Sequence, residues 1–441
     1  MTLTVHPTER LEGGVRAPGD KSCSHRALIM GGLATGTTHI SGLLEGDDVI
    51  RTAKVMEALG ADVTRTGNGR WTVTGVGPAG LQAPQAALDF GNSGTGVRLM
   101  MGVLAGYALR ADLVGDESLS KRPMARITNP LSEMGTTFLP EGRDRLPLTI
   151  DSNGRLNGID YTPPHASAQI KSAVLFAGLN AEGITRVIEA RKTRDHTERM
   201  LQHFGIDLIF AKRSPGDPYI PGIKGGQSLK AAEAIIPGDP SSAAFLVAAA
   251  LISPRADILV EGVMSNDTRD GFLEAATLMG AQIGAEETGA ATGERQISLQ
   301  VSSSELKGIR VPERIVPSMI DEFPILAVLA AYASGETWIT GASELRVKES
   351  DRIKAIVNML RVNGVSVEER DDGFIVEGCG GPPPGGGLVE THHDHRIAMS
   401  ALVLGSAAQN PVSIDDARMI DTSYPEFLDH MRTLGADIRA D

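Results

Sequence analysis

Cysteine is nearly absent, with only Cys23 and Cys379 in 441 residues. Two cysteines make neither a disulfide framework nor a four-cysteine zinc site, and they fit a reducing compartment. Aromatics are scarce too: 10 Phe, 5 Tyr and 2 Trp leave a core to be built from aliphatics and Ala. The longest apolar runs, Ala243 to Ile252 and Ile325 to Ala333, fall well short of the roughly 20 residues that span a bilayer. The opening stretch MTLTVHPTERLEGGV lacks the apolar centre of a secretory signal, so the chain is expected in the cytoplasm with no membrane partner. Positive charge is also in deficit, with 42 Lys and Arg against 55 Asp and Glu and a net charge of −13. That balance opposes a general role on nucleic acid or anionic lipid and leaves room only for a local anion site.

What is abundant is glycine, 51 residues of it. The length allows two or three domains. A glycine follows a helix-like stretch and precedes a strand-like one at Gly60, Gly135, Gly205, Gly280, Gly364 and Gly435, with neighbours 70 to 84 residues apart. Six supersecondary units follow from this period. Each opens with an Ala- and Leu-rich helix, apolar nearly all round and therefore expected to be buried, such as GNSGTGVRLMMGVL or DEFPILAVLAAYA. A short strand comes next, then a more polar helix ending at the glycine. The order argues an α/β architecture made of repeats, with a boundary near IIPGDPSSAAF. Equivalent helix N-termini in one domain should point the same way, so their N–H groups can attract an anion that the whole-chain charge would repel.

Unusual residues collect at those termini. GDKSCSHRALIM sets Lys21, Ser22 and Arg26 within about a turn and a half of a helix start, where Lys is a point charge and Arg a planar fork for phosphate or carboxylate. Alone, the segment is more commonly a Ser-capped surface helix. FGNSGTGVR reads as a glycine-rich loop opening a helix, able to cradle an anion but matching no standard nucleotide loop. RVKESDRIKAI spaces Lys348, Glu349 and Arg352 so that Lys348 and Arg352 are expected on one helix face beside a carboxylate. SMIDEFPILAV puts Asp321 and Glu322 ahead of a helix too apolar to be exposed, which suits either a cap or a general base. In THHDHRIAM, His392, His393 and His395 are too close together to converge easily and Arg396 would repel a cation, so no metal is expected. Neither cysteine has a recognisable partner base, and both read as buried or idle thiols.

Placed at equivalent points of six repeats, the motifs PGDKSCSHRAL, GNSGTGVR, GDESLSKRPM, ASAQIKSAVLFAGL, IDEFPILAV, RVKESDR and DHRIAM resemble the 5-enolpyruvylshikimate-3-phosphate synthase family over essentially the whole chain. The resemblance implies an α/β enzyme of two domains, each of three βαβαββ units in an inside-out α/β barrel. Residues 1–19 with 239–441 would form one domain and 20–238 the other, with the active site in the cleft between them. It implies transfer of the enolpyruvyl group of phosphoenolpyruvate to shikimate 3-phosphate, with no metal or organic cofactor, by a monomer. By this resemblance Lys21, Arg122, Arg352 and Arg396, with Gly94 and Gln169, hold phosphoenolpyruvate. Ser22, Arg26, Ser167, Ala168, Gln169, Arg194 and Lys348 face shikimate 3-phosphate. Asp321 takes the proton of the attacking hydroxyl, and Lys21 or Glu349 protonates the methylene carbon.

The chain departs from the common family pattern at four places: Thr422 stands where many members have Lys, Ala168 where many have Ser, Glu344 where many have Asn, and Leu99 where many have Pro. With TRDHTE, these resemble the less common class II branch, known for tolerating the inhibitor glyphosate. Tolerance there is associated partly with Ala at the position of Gly94, so appreciable glyphosate binding is expected here. The competing functions are enolpyruvyl transfer to UDP-N-acetylglucosamine, an RNA-end-modifying enzyme, and a non-enzymatic repeat scaffold. The segment ADLVGDESLSKRPM lacks the reactive Cys usual in the first, an RNA enzyme should be more basic, and a scaffold gives no reason for Lys21, Arg122, Asp321, Arg352 and Arg396 to recur at helix starts.

Overall fold

The computed structural model of the chain describes residues 2–211 and 216–440. All six spaced glycines take positive φ, from 78° at Gly364 to 118° at Gly135. A side chain is strained there, so a helix that must stop and turn back into a strand ends on glycine. The residue after each glycine closes the same ring, its N–H reaching back five residues: Ala61 to Met56, Thr136 to Leu131, Ile206 to Leu201, Ala281 to Ala276, Val365 to Leu360 and Ala436 to Met431, at 2.9–3.1 Å. This is one helix-stop motif used six times.

The helices, numbered in chain order, are α1 (Lys21–Leu33) and α2 (Asp47–Ala58) in the first repeat. The second repeat has α3 (Gly94–Ala105), the one-turn α4 (Glu117–Ser120) and α5 (Ala125–Met134), and the third has α6 (Ala168–Gly178) and α7 (His196–His203). Then come α8 (Pro240–Ile252) and α9 (Gly271–Leu278), α10 (Phe323–Tyr332) and α11 (Arg352–Val362), and α12 (His395–Gly405) and α13 (Phe427–Thr433). The first helix of each repeat is the apolar one. Every residue of α10 is buried, as is all of α8 after its first position. At about 1.5–3 kcal/mol for each fully buried large aliphatic side chain, these helices carry much of the folding free energy.

The chain divides into two units. The terminal unit comprises Met1–Pro18, Pro237–Ala290 and Arg295–Asp441, and the inserted unit comprises Gly19–Ile236 and Ala291–Glu294. In the inserted unit, Thr37–Ser41 lies between a parallel neighbour, Glu233–Ile235, and an antiparallel one, Arg70–Thr74. The next two repeats copy this order, and each parallel strand comes from the end of the preceding repeat: Leu88–Asp89 joins Ala108–Val114, and Asp160–Tyr161 joins Ile184–Val187. Glu233–Ile235 thus returns from the third repeat to the first and closes the set of three.

In the terminal unit, Leu11–Arg16 runs parallel to Ala256–Ser265. Leu3–His6 lies between Val412–Ile414 and Asp437–Ala440, supplying a strand to the sixth repeat from the other end of the chain. Among the described residues, no helix is long and apolar enough to cross a membrane.

Candidate active site

In the inserted unit the Asp20 carboxylate caps α1 through the Cys23 N–H at 2.7 Å, which puts Lys21 and Ser22 in the first turn and Arg26 in the second. Lys21 Nζ lies 2.6 Å from Asp48 Oδ2 on α2. Arg26 donates to Thr197 Oγ1 at 2.7 Å, to the Ser22 carbonyl at 2.9 Å and to Ser172 Oγ at 2.9 Å. All three acceptors are neutral. Burial lowers the pKa of this guanidinium against the opposing pull of Asp20 and Glu198, and Arg194 adds a smaller push in the same direction as burial.

Ser93 caps α3 through the Gly96 N–H at 3.1 Å, so Gly94 is the first helical residue. A Cβ at Gly94 would lie 3.1 Å from Arg122 Nη1 and 3.3 Å from Arg98 Nη1, so a methyl group there forces neighbours to give. Arg122 donates to Asn92 Oδ1 at 2.7 Å. Arg98 donates to Gln169 Oε1 at 2.8 Å, and Gln169 Nε2 donates in turn to Thr95 Oγ1 at 3.1 Å. Ser167 caps α6, Ala168 is its first residue, and the Ala168 carbonyl accepts from Ser172 at 2.6 Å. Gly94, Arg122 and Gln169 therefore form one group around Arg98, and Ser22, Arg26 and Arg194 form another, with α6 supplying Gln169 to the first and Ser172 to the second.

The terminal unit holds the other five residues. Arg352 is buried, and three carboxylates share it: Asp394 Oδ2 at 2.8 Å, Asp321 Oδ1 at 3.2 Å and Glu349 Oε2 at 2.6 Å. Burial alone would lower its pKa, but Asp394, Glu349 and Asp321 together outweigh burial and raise it. Lys348 Nζ is 3.3 Å from the same Asp321 oxygen and 3.4 Å from Glu344. Arg396 donates to the Asp321 carbonyl at 3.2 Å and lies 3.8 Å from Glu322 Oε1. Neither Asp321 nor Glu322 caps α10: Glu322 stands at the cap position without a side-chain cap bond and accepts instead from Ser241.

One expectation is corrected. Lys348 and Arg352 do not share a helix face, because α11 begins only at Arg352. Asp351 is its cap, bonded to the Lys354 N–H at 3.1 Å and held from outside by Arg346, and Lys348 precedes it in extended backbone. The two cations meet through Asp321 instead of through helical spacing.

Three residues escaped the sequence argument as site components. Asp394 joins Arg352, Ser350 and the start of α12; Asp48 pairs with Lys21; and Arg98 orients Gln169. Asp394 had a signal, since it is the polar residue directly ahead of an apolar helix. Arg98 had one as well, being the Arg that ends GNSGTGVR within an otherwise apolar helix, whereas Asp48, in the first turn of the amphipathic α2, had none.

Among the described residues, one group offers three potential metal ligands within 4.8 Å of one another: Cys23, His196 and Glu294. His196 and Glu294 already bond each other at 2.8 Å. Burial pushes the Cys23 thiol well above its ordinary pKa, and Cys379 is also raised, first by burial and then by Glu377, so neither is an activated thiolate.

Residues 5–431 match the family described as EPSP synthase (3-phosphoshikimate 1-carboxyvinyltransferase). The chain belongs to that family. It is 66% identical over 442 residues to the 3-phosphoshikimate 1-carboxyvinyltransferase of Hyphomonas neptunium, covering 100% of both chains. It is similar to the EPSP synthase structure from Acinetobacter baumannii, with TM-score 0.88, 41% identity and complete coverage of both chains. An enolpyruvyl transferase, NikO from Streptomyces tendae, shares the fold at TM-score 0.76 and 18% identity, over 99% of this chain and 98% of that one.

Three of the positions expected to depart from the common family pattern can be placed in the structure. Thr422 donates to the Met419 carbonyl at 2.6 Å and brings no cation. Glu344 gives Lys348 a second carboxylate, and Leu99 is fully buried inside α3.

Proposed function

We propose that the chain transfers the enolpyruvyl group of phosphoenolpyruvate to the 5-hydroxyl of shikimate 3-phosphate, releasing phosphate, on the route to chorismate and the aromatic amino acids. Family membership supports the activity. The observation that carries the mechanism is the Asp321 carboxylate at the start of buried α10, with Lys348 and Arg352 both on Oδ1.

Two multiply charged anions repel each other unless cations neutralise them and hold them in register. Ser22, Arg26, Ser167, Gln169, Arg194 and Lys348 take shikimate 3-phosphate, with Ala168 in the same stretch. Lys21, Arg122, Arg352 and Arg396, with the Gly94 backbone, take phosphoenolpyruvate. Asp321 accepts the 5-hydroxyl proton as that oxygen attacks C2 of phosphoenolpyruvate. The methylene carbon takes a proton from Lys21 or Glu349, giving a tetrahedral intermediate. Loss of a proton from the same carbon then expels phosphate and restores the double bond. Protonation of the enol carbon creates cationic character, which Asp321 and Glu349 stabilise electrostatically.

Every residue used comes from one chain, so a monomer suffices. Two free cysteines suit the reducing cytoplasm. Glyphosate, also an anion with a carboxylate, competes for the residues that take phosphoenolpyruvate. Phosphate release from phosphoenolpyruvate is the test: it should occur with shikimate 3-phosphate and not with UDP-N-acetylglucosamine. Release with the second acceptor alone, or with neither, rejects the assignment.

A further inference from the structure

Lys171 on α6 is a fully buried cation that the reaction does not use. Its Nζ donates to Glu189 Oε2 at 2.9 Å and to the Thr193 carbonyl at 3.4 Å, and it forms an ion pair with Glu198 Oε1 at 2.8 Å. Burial alone would lower its pKa, but Glu198 and Glu189 together outweigh burial and raise it. A buried ion pair is a weak stabiliser compared with apolar packing, because desolvating the charges consumes most of the Coulomb gain. Its directional bonds are what an apolar residue cannot replace.

Those bonds all fall on the segment that carries Arg194. Glu189 lies two residues beyond the strand Ile184–Val187 and accepts from the Thr193 hydroxyl, and Glu198 is in the first turn of α7. Arg194 sits between Thr193 and that turn. One residue later on α6 and one earlier on α7, Ser172 and Thr197 bond at 2.7 Å and both hold Arg26. Two consecutive rungs therefore join α6 to α7. Lys171 with Glu198 makes the charged rung and fastens the Arg194 segment; Ser172 with Thr197 makes the neutral rung and fastens Arg26.

We propose that Lys171, through Glu189 and Glu198, is a positioning residue that holds Arg194 beside Arg26 as the second guanidinium for the phosphate of shikimate 3-phosphate. This rests on the reading of Arg194 as a phosphate ligand. Without the bonds from Lys171, the backbone on either side of Arg194, from Thr193 to Glu198, would lose its anchor on α6, and phosphate binding would have to order that segment.

The test is a double-mutant cycle on the full chain, with Lys171→Met, Arg194→Ala and both together, read by calorimetric binding of shikimate 3-phosphate and by steady-state kinetics. Lys171→Met should weaken shikimate 3-phosphate binding about tenfold, leave kcat and the phosphoenolpyruvate KM within about twofold, and add nothing in the Arg194→Ala background. An equal loss in both backgrounds, or a loss spread over kcat and both KM values, makes Lys171 merely structural and overturns the proposal. Should Lys171→Met fail to fold, Glu198→Gln, which keeps the shape and removes one charge, takes its place in the same cycle with the same expected and overturning results. Wild-type affinity in Arg194→Ala alone shows that the phosphate-ligand reading has failed, and the proposal falls with it.

Discussion

Arg26 in the inserted unit and Arg352 in the terminal unit are both buried arginines at or near the start of a helix, and their charges are balanced in opposite ways. Arg26 donates to two hydroxyls and a carbonyl, and burial lowers its pKa. Arg352 is surrounded by Asp321, Glu349 and Asp394, which raise its pKa against the opposing effect of burial. A buried cation whose bonds all go to neutral acceptors favours an arriving anion. A cation shared by three carboxylates leaves local negative charge, which suits proton transfer and stabilisation of a cationic carbon. On the proposed reading the terminal unit both binds substrate, through Lys348, Arg352 and Arg396, and carries the carboxylates Asp321 and Glu349, whereas the inserted unit mainly binds, with Lys21 beside Asp48 as the exception.

Five substitutions can break or sharpen this contrast. Asp321→Asn keeps shape and removes the base, so turnover should fall about 10²–10⁴-fold while shikimate 3-phosphate still binds. Near wild-type turnover would remove Asp321 from the mechanism. Arg352→Met leaves three carboxylates without their shared cation and should destabilise the fold by about 3–5 kcal/mol in urea unfolding. Arg26→Met strands no carboxylate, so it should lower shikimate 3-phosphate affinity about a hundredfold with a much smaller loss of stability. Equal destabilisation by the two arginine substitutions would erase the contrast.

Asp394 tests the terminal side through pH. Burial pushes its pKa up, but Arg352 in particular pulls against it and the net value is lowered. A carboxylate with a depressed folded-state pKa adds stability that is complete above its unfolded value near pH 4 and is lost as pH falls through the lower folded value. Urea unfolding of wild type should therefore lose this contribution below about pH 4, and Asp394→Asn should show a shallower decline over that window. An unchanged slope would show that Arg352 is balanced without Asp394. The smallest effect is expected from Gly94→Ala, whose methyl group would meet Arg122 and Arg98 at 3.1 and 3.3 Å. Affinity for phosphoenolpyruvate and for glyphosate should each drop several-fold, about 1 kcal/mol, in steady-state inhibition assays.

The parts of the fold that could be read from the sequence are those set by neighbours along the chain. A glycine ends each repeat's polar helix because the following N–H must reach back five residues, and that demand is visible in EALGADV or QHFGIDL without a third dimension. Apolar helices preceded by Ser or Asp likewise announce both their burial and their caps. The RVKESDRIKAI segment was misread because spacing alone extends a helix back to Lys348, whereas the Asp351 cap and its Arg346 partner start it later.

Sequence by itself determined the six-fold repeat, the helix ends and the residue types gathered at them, because backbone geometry and local hydrogen bonds act over five residues or fewer. Which charged group meets which polar partner was decided only in three dimensions. Arg352 finds Asp394 across 42 residues, Lys21 finds Asp48 across 27, and Arg98 finds Gln169 across 71. Coulomb and hydrogen-bond energies depend on distance and burial, and neither is encoded by position along the chain until the repeats have packed.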